Sequence, residues 1–360
     1  GRKMSGRIEL LKELTNASGV PGFEHEVRRI IRKHMESFTC IEEDKLGSII
    51  CKKEGPSDGP KVMLSGHMDE IGFMVTHITD EGFIKFQTLG GWWSQVMLAQ
   101  RVTIKTNKGD IPGVIGSIPP HILDKETRSK PVKKKDMFID VGAKDKEEAT
   151  KEFGIRPGDP IIPVSQFEEM ANSDLLMGKA FDDRLGCAMF MEVLQELQDS
   201  EHPNTVFGVG SVQEEVGLRG AKTSVSKICP DVAFALEVGI ASDVPGASNK
   251  GVYEKLGEGP VILVYDASMI PNRGLRDFVI DVAEEMDIPY QLDSLAGGGT
   301  DAGAIHVYQE GTPSLVIAVP TRYIHTHVGI IHREDYENAI KLLKEVILKL
   351  DSKTVEGFTL

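Results

Sequence analysis

The chain has few cysteines, no long apolar run and no surplus of positive charge. Its four cysteines, among 360 residues, lie far apart and form no C-x-x-C pair. This spacing excludes a disulfide scaffold and predicts a reduced, cytoplasmic protein. No apolar run approaches the ~20 residues that cross a bilayer, and the N-terminal residues lack an apolar signal core, so we predict no membrane association.

Positive charge is scarce as well. Lysine and arginine number 41 against 55 aspartates and glutamates, which gives a formal net charge of -14. Because nucleic-acid binding needs a clustered surplus of basic side chains, we predict no nucleic-acid partner. The basic cluster at 128–135 has no interleaved aromatic residue and is predicted to be a solvated loop or a hairpin tip.

Apolar residues make up 40% of the chain, which is enough for a sizeable packed core. Segments with helical spacing alternate with short apolar runs typical of buried strands, so we predict an α/β fold. Helices are predicted near 6–16, 24–35, 183–197, 272–285 and 333–350. Strands are predicted near 61–64, 205–212, 232–237, 260–264 and 314–318, with a hairpin over 40–52.

The pattern changes between residues 73 and 166. Short, glycine-punctuated strands are predicted near 83–89, 101–106 and 111–117, with helical spacing only near 146–153. This texture is typical of a small β domain inserted into a larger one. We therefore predict a discontinuous catalytic domain, 1–72 plus 167–360, and an inserted β domain at 73–166.

A histidine two residues before an aspartate, in Ser65-Gly66-His67-Met68-Asp69, follows the predicted strand at 61–64. Open α/β sheets bind ligands at the carboxyl ends of their strands. A metal-binding histidine needs its second ring nitrogen held, and a carboxylate two positions along an extended backbone projects to the same side. His67 is therefore a candidate ligand and Asp69 its candidate partner, the alternative being a solvated His-x-Asp.

Acidic residues follow at other element ends. Asp182, in Phe181-Asp182-Asp183-Arg184, precedes an apolar helix, which Asp182 or Asp183 could instead cap. Glu214 and Glu215 come just after the predicted strand at 205–212. One of this pair is a candidate metal ligand and the other faces the bound water; a solvated glutamate pair is the alternative.

Glu237 closes the apolar run 232–236, where an unpaired charge is costly to bury, so it needs a cation or an exit to water. His325 follows the predicted strand at 314–318, and His327 competes with it for the same role.

Together, two imidazoles and three carboxylates at strand ends match what a pair of borderline divalent ions requires. We predict Zn²⁺ or Co²⁺, with Mn²⁺ as an alternative. Five side chains serve two ions only if one carboxylate bridges them, which leaves open positions for water and substrate. The candidate metal ligands are His67, Asp182, one of the pair Glu214 and Glu215, Glu237, and either His325 or His327.

The ordered motifs resemble those of the cytosolic di-metal aminopeptidases of the tetrahedral, glutamyl or deblocking family, some members of which have been labelled endoglucanases. The likeness covers almost the whole chain and implies a zinc-peptidase-like mixed sheet flanked by helices, with an inserted small β-barrel-like domain. The motifs are Gly66-His67-Met68-Asp69, Phe181-Asp182-Asp183-Arg184, Gln213-Glu214-Glu215-Val216-Gly217, Leu236-Glu237-Val238 and Arg322-Tyr323-Ile324-His325.

The resemblance implies a division of the ligands between two metal sites. Asp182 bridges the ions, His67 and Glu237 complete one site, and Glu215 and His325 complete the other.

The resemblance also assigns the remaining roles. Glu214 is the general base, Asp69 orients His67, and a cis peptide bond follows Asp182. Many relatives have aspartate where this chain has Glu237; the additional methylene changes the reach of the carboxylate and bears on metal preference.

Activity and assembly are implied by the same resemblance. The substrates are short peptides with a free N-terminus, and the inserted domain mediates dimerisation, with dimers forming a dodecamer. Two alternatives stay open. A di-metal carboxypeptidase or dipeptidase would use nearly the same ligands but needs a basic group for the substrate carboxylate, whereas a glycoside hydrolase would leave His67 and His325 unexplained.

Overall fold

The structure is a computed structural model that describes residues 4–247, 250 and 253–359. Within these ranges the strands are β1 (Cys40–Glu43), β2 (Ile49–Lys53), β3 (Lys61–His67), β4 (Gly72–Ile78), β5 (Ile84–Leu89), β6 (Arg101–Thr106), β7 (Gly109–Gly116), β8 (Phe138–Asp140), β9 (Pro160–Pro163), β10 (Glu168–Glu169), β11 (Leu175–Gly178), β12 (Thr205–Ser211), β13 (Val232–Ile240), β14 (Val261–Asp266), β15 (Gln291–Leu295), β16 (Ser314–Thr321) and β17 (Gly329–His332). The α-helices are α1 (Met4–Asn16), α2 (His25–Met35), α3 (Lys125–Arg128), α4 (Phe181–Leu197), α5 (Arg219–Ile228), α6 (Arg273–Glu285), α7 (Asp301–Ile305), α8 (Arg333–Lys349) and α9 (Ser352–Glu356).

An eight-stranded sheet forms the centre of the larger part of the molecule, in the order β1-β2-β12-β3-β13-β16-β14-β15. The four strands β12, β3, β13 and β16 are parallel to one another, whereas β2 and β14 join this group in antiparallel pairing. The predicted hairpin over 40–52 is the β1–β2 pair. The prediction of a mixed sheet is therefore confirmed.

Helices cover both faces of this sheet. On β3, Val62 and Leu64 belong to the large core that includes residues of α1, α2, α4, α6 and α8, whereas Met63 belongs to a smaller core with α5. Alternate side chains of one strand thus enter different layers, as strand geometry requires. Burial on both faces explains why the central strands read as continuous apolar runs in the sequence.

The inserted segment forms a closed barrel in the order β4-β5-β8-β7-β6-β9. The predicted strands at 83–89, 101–106 and 111–117 correspond to β5, β6 and β7. We did not predict β4, β8 or β9: β8 is three residues long, and β9 reads Pro160-Ile-Ile-Pro163, a composition that normally argues against a strand. The barrel strands lie between Gly72 and Pro163, and the exact domain boundaries stay a prediction.

Two smaller predictions concern loops and helices of the insertion. Residues 128–135 form a largely exposed connection between β7 and β8, in agreement with the predicted loop. The helical spacing near 146–153 corresponds to one π-helical segment, Glu148–Glu152. Among the described residues, none of the helices is both long and apolar enough to cross a bilayer.

Candidate metal centre

His67 is the last residue of β3, and its ring is fully buried. The Nδ1 atom lies 2.8 Å from the main-chain carbonyl of Asp69. Because a carbonyl only accepts hydrogen bonds, Nδ1 carries a proton, and Nε2 is the ring nitrogen available to an ion. The backbone N–H of His67 donates to Asp183 Oδ2 at 3.0 Å, which fixes the main chain at the strand end.

Glycine is required beside this histidine. A Cβ atom at Gly66 would lie 2.5 Å from the backbone of Gly186, so β3 passes directly against the first turn of α4. This close approach places His67 next to the residues that begin α4.

Asp182 lies at the start of α4, between two imidazoles. Its Oδ1 is 3.0 Å from His67 Nε2, and its Oδ2 is 3.0 Å from His325 Nε2. The peptide bond from Asp182 to Asp183 is cis, as the resemblance implied. One correction concerns its position: Asp182 follows β11 of the small β10-β11-β17 sheet and not a strand of the main sheet.

His325 lies in the loop after β16, at a φ of 58°. Its Nδ1 is 3.0 Å from the carbonyl of Gly91, so Nε2 is the ring nitrogen that faces Asp182 and is available to an ion. The competing candidate, His327, is buried against Trp92, at 5.5 Å between ring centroids, and is in none of the groups of His, Cys, Asp and Glu that could hold an ion among the described residues.

Glu214 and Glu215 follow β12 in a turn that begins at Gln213. Glu214 Oε2 lies 3.2 Å from His67 Nε2, and Glu215 Oε2 lies 3.4 Å from His325 Nε2. The other oxygen of Glu215, Oε1, is buried and has no hydrogen-bond partner. The two glutamates therefore approach the centre from different angles, as adjacent residues beyond a strand end can.

Glu237 completes the centre. We predict it at the end of a strand, and this prediction is wrong. It lies inside β13, which continues to Ile240 because β16 pairs with it along its full length. Its Oε2 is 3.8 Å from His67 Nε2. The carboxylate therefore leaves the sheet from the strand interior, next to the centre.

Asp69, the predicted partner of His67, contacts the ring through two groups. Its main-chain carbonyl makes the short contact with Nδ1, and its carboxylate Oδ1 lies 3.5 Å from the same nitrogen, longer than an ordinary hydrogen bond. The carboxylate accepts the backbone N–H groups of Glu214 and Glu215, each at 3.0 Å. Asp69 thus contacts both the histidine and the glutamate turn.

The sequence reasoning missed a buried ion cluster below the centre. Glu70 accepts from Lys179 Nζ at 2.7 Å and from Arg184 Nη2 at 2.9 Å, and all three side chains are buried. The sequence offers Asp182 or Asp183 as a cap for α4, and Asp183 takes that position. It accepts the N–H of Gly186 at 3.0 Å, whereas Arg184 pairs with Glu70.

The arrangement fits a pair of divalent ions. Two triads of ligand atoms, each within 4.8 Å of one another, share Asp182; the triads are His67, Asp182 and Glu237, and Asp182, Glu215 and His325. Each imidazole lone pair faces a carboxylate oxygen at 3.0 Å, and two acceptors at that distance need a cation or a proton between them. A third overlapping group consists of His67, Glu214 and Glu215.

Burial makes the charges of the centre depend on one another. It raises the pKa of Glu215, with help from the charge of Asp182, to about 7, and raises those of Glu214 and Glu237 well above their usual range. For Asp182 the two nearby imidazoles outweigh burial and hold the pKa below its usual range. Burial opposes a charged His325 ring, but Asp182 and Glu215 raise its pKa to about 11. Buried carboxylates in this number call for bound cations.

A pocket of about 900 Å³ opens beside the centre. Four acidic residues of the centre and His325 form one part of its lining, and mostly apolar or small residues form the rest. Lys250 is the remaining ionisable side chain among the described residues that line it. The apolar and small lining residues include Leu218, Val238, Ile240, Leu295, Ala296 and Gly297–Thr300.

A mixed α/β sheet that carries two such triads next to a pocket is the arrangement of a metal-dependent hydrolase. The family profile described as M42 glutamyl aminopeptidase matches residues 47–342. The chain therefore belongs to the M42 glutamyl aminopeptidase family, a metallopeptidase family, and is a metal-dependent aminopeptidase.

Full-length relatives agree with this assignment. The chain is 44% identical over 356 residues to the Escherichia coli protein described as "Putative aminopeptidase FrvX", with 98% of each chain covered. It is 38% identical to a glutamyl aminopeptidase of Lactococcus lactis, over 97% of this chain and 98% of the relative. It is 34% identical to a lysyl aminopeptidase of Pyrococcus furiosus, over 95% and 97%.

Solved structures share the fold. A TET aminopeptidase from a marine sediment Thaumarchaeota archaeon superposes with a TM-score of 0.96 at 51% identity, over 98% of this chain and 99% of that one. The TET1 peptidase of Pyrococcus horikoshii, described as assembling into a tetrahedron or a large octahedral shell, gives 0.85 at 34%, over 96% and 100%. A Thermotoga maritima structure described as an endoglucanase gives 0.78 at 30%, over 97% and 99%.

Proposed function

We propose that this aminopeptidase uses two divalent ions, Zn²⁺ or Co²⁺ with Mn²⁺ as an alternative, to release N-terminal residues from short peptides. The observation that carries the proposal is the Asp182 carboxylate, whose two oxygens each lie 3.0 Å from a different imidazole Nε2. His67 and Glu237 would hold one ion with Asp182, and Glu215 and His325 the other. Bound ions supply an acidified water and a Lewis acid for the scissile carbonyl.

Glu214 is the general base in this proposal. Its Oε2 lies 3.2 Å from His67 Nε2 and it lines the pocket, but it belongs to neither of the two triads that share Asp182. Its carboxylate accepts the proton of the attacking water and passes it to the leaving amine nitrogen. The acidic lining of the pocket suits the free α-ammonium group of a peptide, which restricts cleavage to the N-terminal residue.

Chelation and reconstitution test this function. Removal of metal with EDTA should abolish hydrolysis of aminoacyl anilides, and added Co²⁺ or Zn²⁺ should restore it. N-acetylated peptides and cellulose should not be hydrolysed in any state, because both lack the free α-ammonium group. Hydrolysis of cellulose, or of blocked peptides at the rate of free ones, would contradict the proposal.

Lys250 provides a preference among N-terminal residues. The relatives of this chain include both a glutamyl and a lysyl aminopeptidase. The preferred N-terminal residue therefore depends on the pocket of this chain. Among the described residues that line the pocket, Lys250 is the ionisable side chain outside the acidic centre and His325, and its positive charge favours an acidic substrate side chain and repels a basic one. In the same anilide panel we expect kcat/KM to fall in the order Glu, Leu, Lys.

A neutral variant and a matched surface variant sharpen this panel. K250M should lower the Glu-to-Leu ratio of kcat/KM about fivefold, the factor that an exposed ion pair of about 1 kcal/mol supplies. K222M, which removes an exposed lysine on α5, should leave the ratio as it is. A wild-type preference for lysine, or a ratio that K250M does not move, would refute the role of Lys250.

We also propose that the chain assembles into a dodecamer through the barrel and works in the cytoplasm. Two neighbours support the assembly: the Pyrococcus horikoshii TET1 shells, and a PhTET1 structure described as a dodecamer. The four free cysteines favour a reducing compartment. Light scattering should give about twelve times the mass of 39.5 kDa, and a monomer at micromolar concentration would argue against the assembly.

A further inference from the structure

We infer that Glu24, from the N-terminal segment, is a positioning residue that holds the turn carrying Glu214 and Glu215. Its Oε2 accepts the backbone N–H of Gln213 at 2.9 Å, across 189 positions of sequence. The inference rests on the proposed function only in that it assigns the general base to this turn. Glu24 belongs to none of the candidate ligand groups among the described residues and acts through the backbone N–H of Gln213.

The turn at 213–215 depends on hydrogen bonds from other parts of the chain. Gln213 has a φ of 54°, in the left-handed region that residues with a side chain rarely adopt. Three consecutive backbone N–H groups, those of Gln213, Glu214 and Glu215, point to two buried carboxyl groups. Asp69 accepts the second and third, and Glu24 accepts the first. Without Glu24, the strained residue of the turn loses the partner of its N–H group.

Glu24 is itself fixed on a rigid element. It directly precedes α2, and its carbonyl accepts the N–H of Arg28 at 3.1 Å in the first turn. The helix buries Val27, Ile31 and Met35 in the large core. With 4% of its surface exposed, Glu24 cannot turn its carboxyl group to solvent.

The preceding segment is fixed from a second direction. Arg184 lies two residues after Asp182 at the start of α4. Its guanidinium group donates to the carbonyls of Ala17 at 2.9 Å and Gly19 at 3.1 Å. The N-terminal segment is therefore tied both to the helix start that carries Asp182 and to the turn that carries Glu214. A small shift of the turn would move both glutamate side chains, and a misplacement of about 1 Å costs on the order of 100-fold in rate.

Two variants at Glu24 separate the hydrogen bond from the side-chain volume. E24A removes the acceptor and should lower kcat on a leucine anilide about tenfold at saturating substrate and metal, with KM changed less than threefold. E24Q keeps an acceptor oxygen at the same place and should retain kcat within about threefold of wild type. Loss of kcat in E24Q as large as in E24A would overturn the role of the acceptor.

A matched control comes from Asp335, another buried carboxylate that accepts two backbone N–H groups, those of Gly257 and Gly259, each at 2.8 Å. D335A should lower the melting temperature at least as much as E24A but leave kcat within twofold of wild type. If D335A loses as much kcat as E24A, the effect of Glu24 is general destabilisation and the inference fails.

Hydrogen exchange gives a readout that does not require turnover. In metal-free protein, E24A should speed amide exchange in the peptide that covers 213–215, whereas E24Q should exchange as wild type does. Unchanged exchange in E24A would contradict the inference. Wild-type protein that hydrolyses no aminoacyl anilide would refute the proposed function, whereas active wild type with E24A within twofold would refute only the role of Glu24.

Discussion

The variant E214Q should keep both metal ions and lose most of its turnover. Glutamine has nearly the shape of glutamate but cannot take the proton of the attacking water. General-base catalysis contributes on the order of 100-fold to 10,000-fold, so kcat should fall by about that factor, with metal content unchanged. Single-turnover hydrolysis of an aminoacyl anilide, with metal content measured on the same sample, gives both quantities.

The neighbouring glutamate is a demanding control for this result. Glu215 shares the turn and the Asp69 anchor with Glu214, but its Oε2 faces His325, and it belongs to the triad with Asp182. E215Q should therefore lose metal from one site as well as activity. An E214Q protein that is active and metal-loaded, or one that has lost metal as E215Q does, would show that Glu214 is not the general base.

The variant D182N should lose affinity for both ions together. Asp182 is the residue that the two triads share, and an amide nitrogen cannot replace its second carboxylate oxygen as a ligand. Loss of a partner that merely orients a ligand costs 10-fold to 100-fold in metal affinity or activity. Loss of a shared ligand should cost more, so activity should fall at least about 100-fold at any metal concentration that saturates wild type.

The single-site variant H325A gives the contrast for D182N. His325 belongs to one triad only, so H325A should weaken the binding of one ion and leave the second at near wild-type affinity. D174N, an exposed aspartate next to β11, should bind metal as wild type does. Loss of both ions from H325A and D182N alike would mean that the two triads do not act as separate sites.

The sequence, with the family resemblance, named histidines and acidic residues that the fold brings together, but not their placement. Glu237 appeared to close a strand because the apolar run stops there, yet β13 continues through Val238 and Gly239 to pair with β16. A run of apolar letters ends at the first charge, whereas a strand ends where its backbone partners end. That difference is decided by the neighbouring strand and cannot be read from β13 alone.

Main-chain partners were the second kind of feature that sequence reasoning could not reach. The His-x-Asp spacing correctly joined Asp69 to His67, but the contact uses the carbonyl, and the carboxylate holds the glutamate turn. Glu24 and Glu70 gave no signal as site residues because their partners lie far along the chain. Such contacts depend on the tertiary fold, which no local pattern specifies.

Metal stoichiometry tests the central claim, that Asp182 unites two metal sites, most directly. Metal-free wild-type protein, titrated with Co²⁺ at known subunit concentration and followed by calorimetry and absorption, should bind two ions per subunit. D182N should bind neither ion at concentrations that saturate wild type. A wild-type protein that saturates with one ion, or a D182N protein that still binds two, would contradict a centre built on a shared carboxylate.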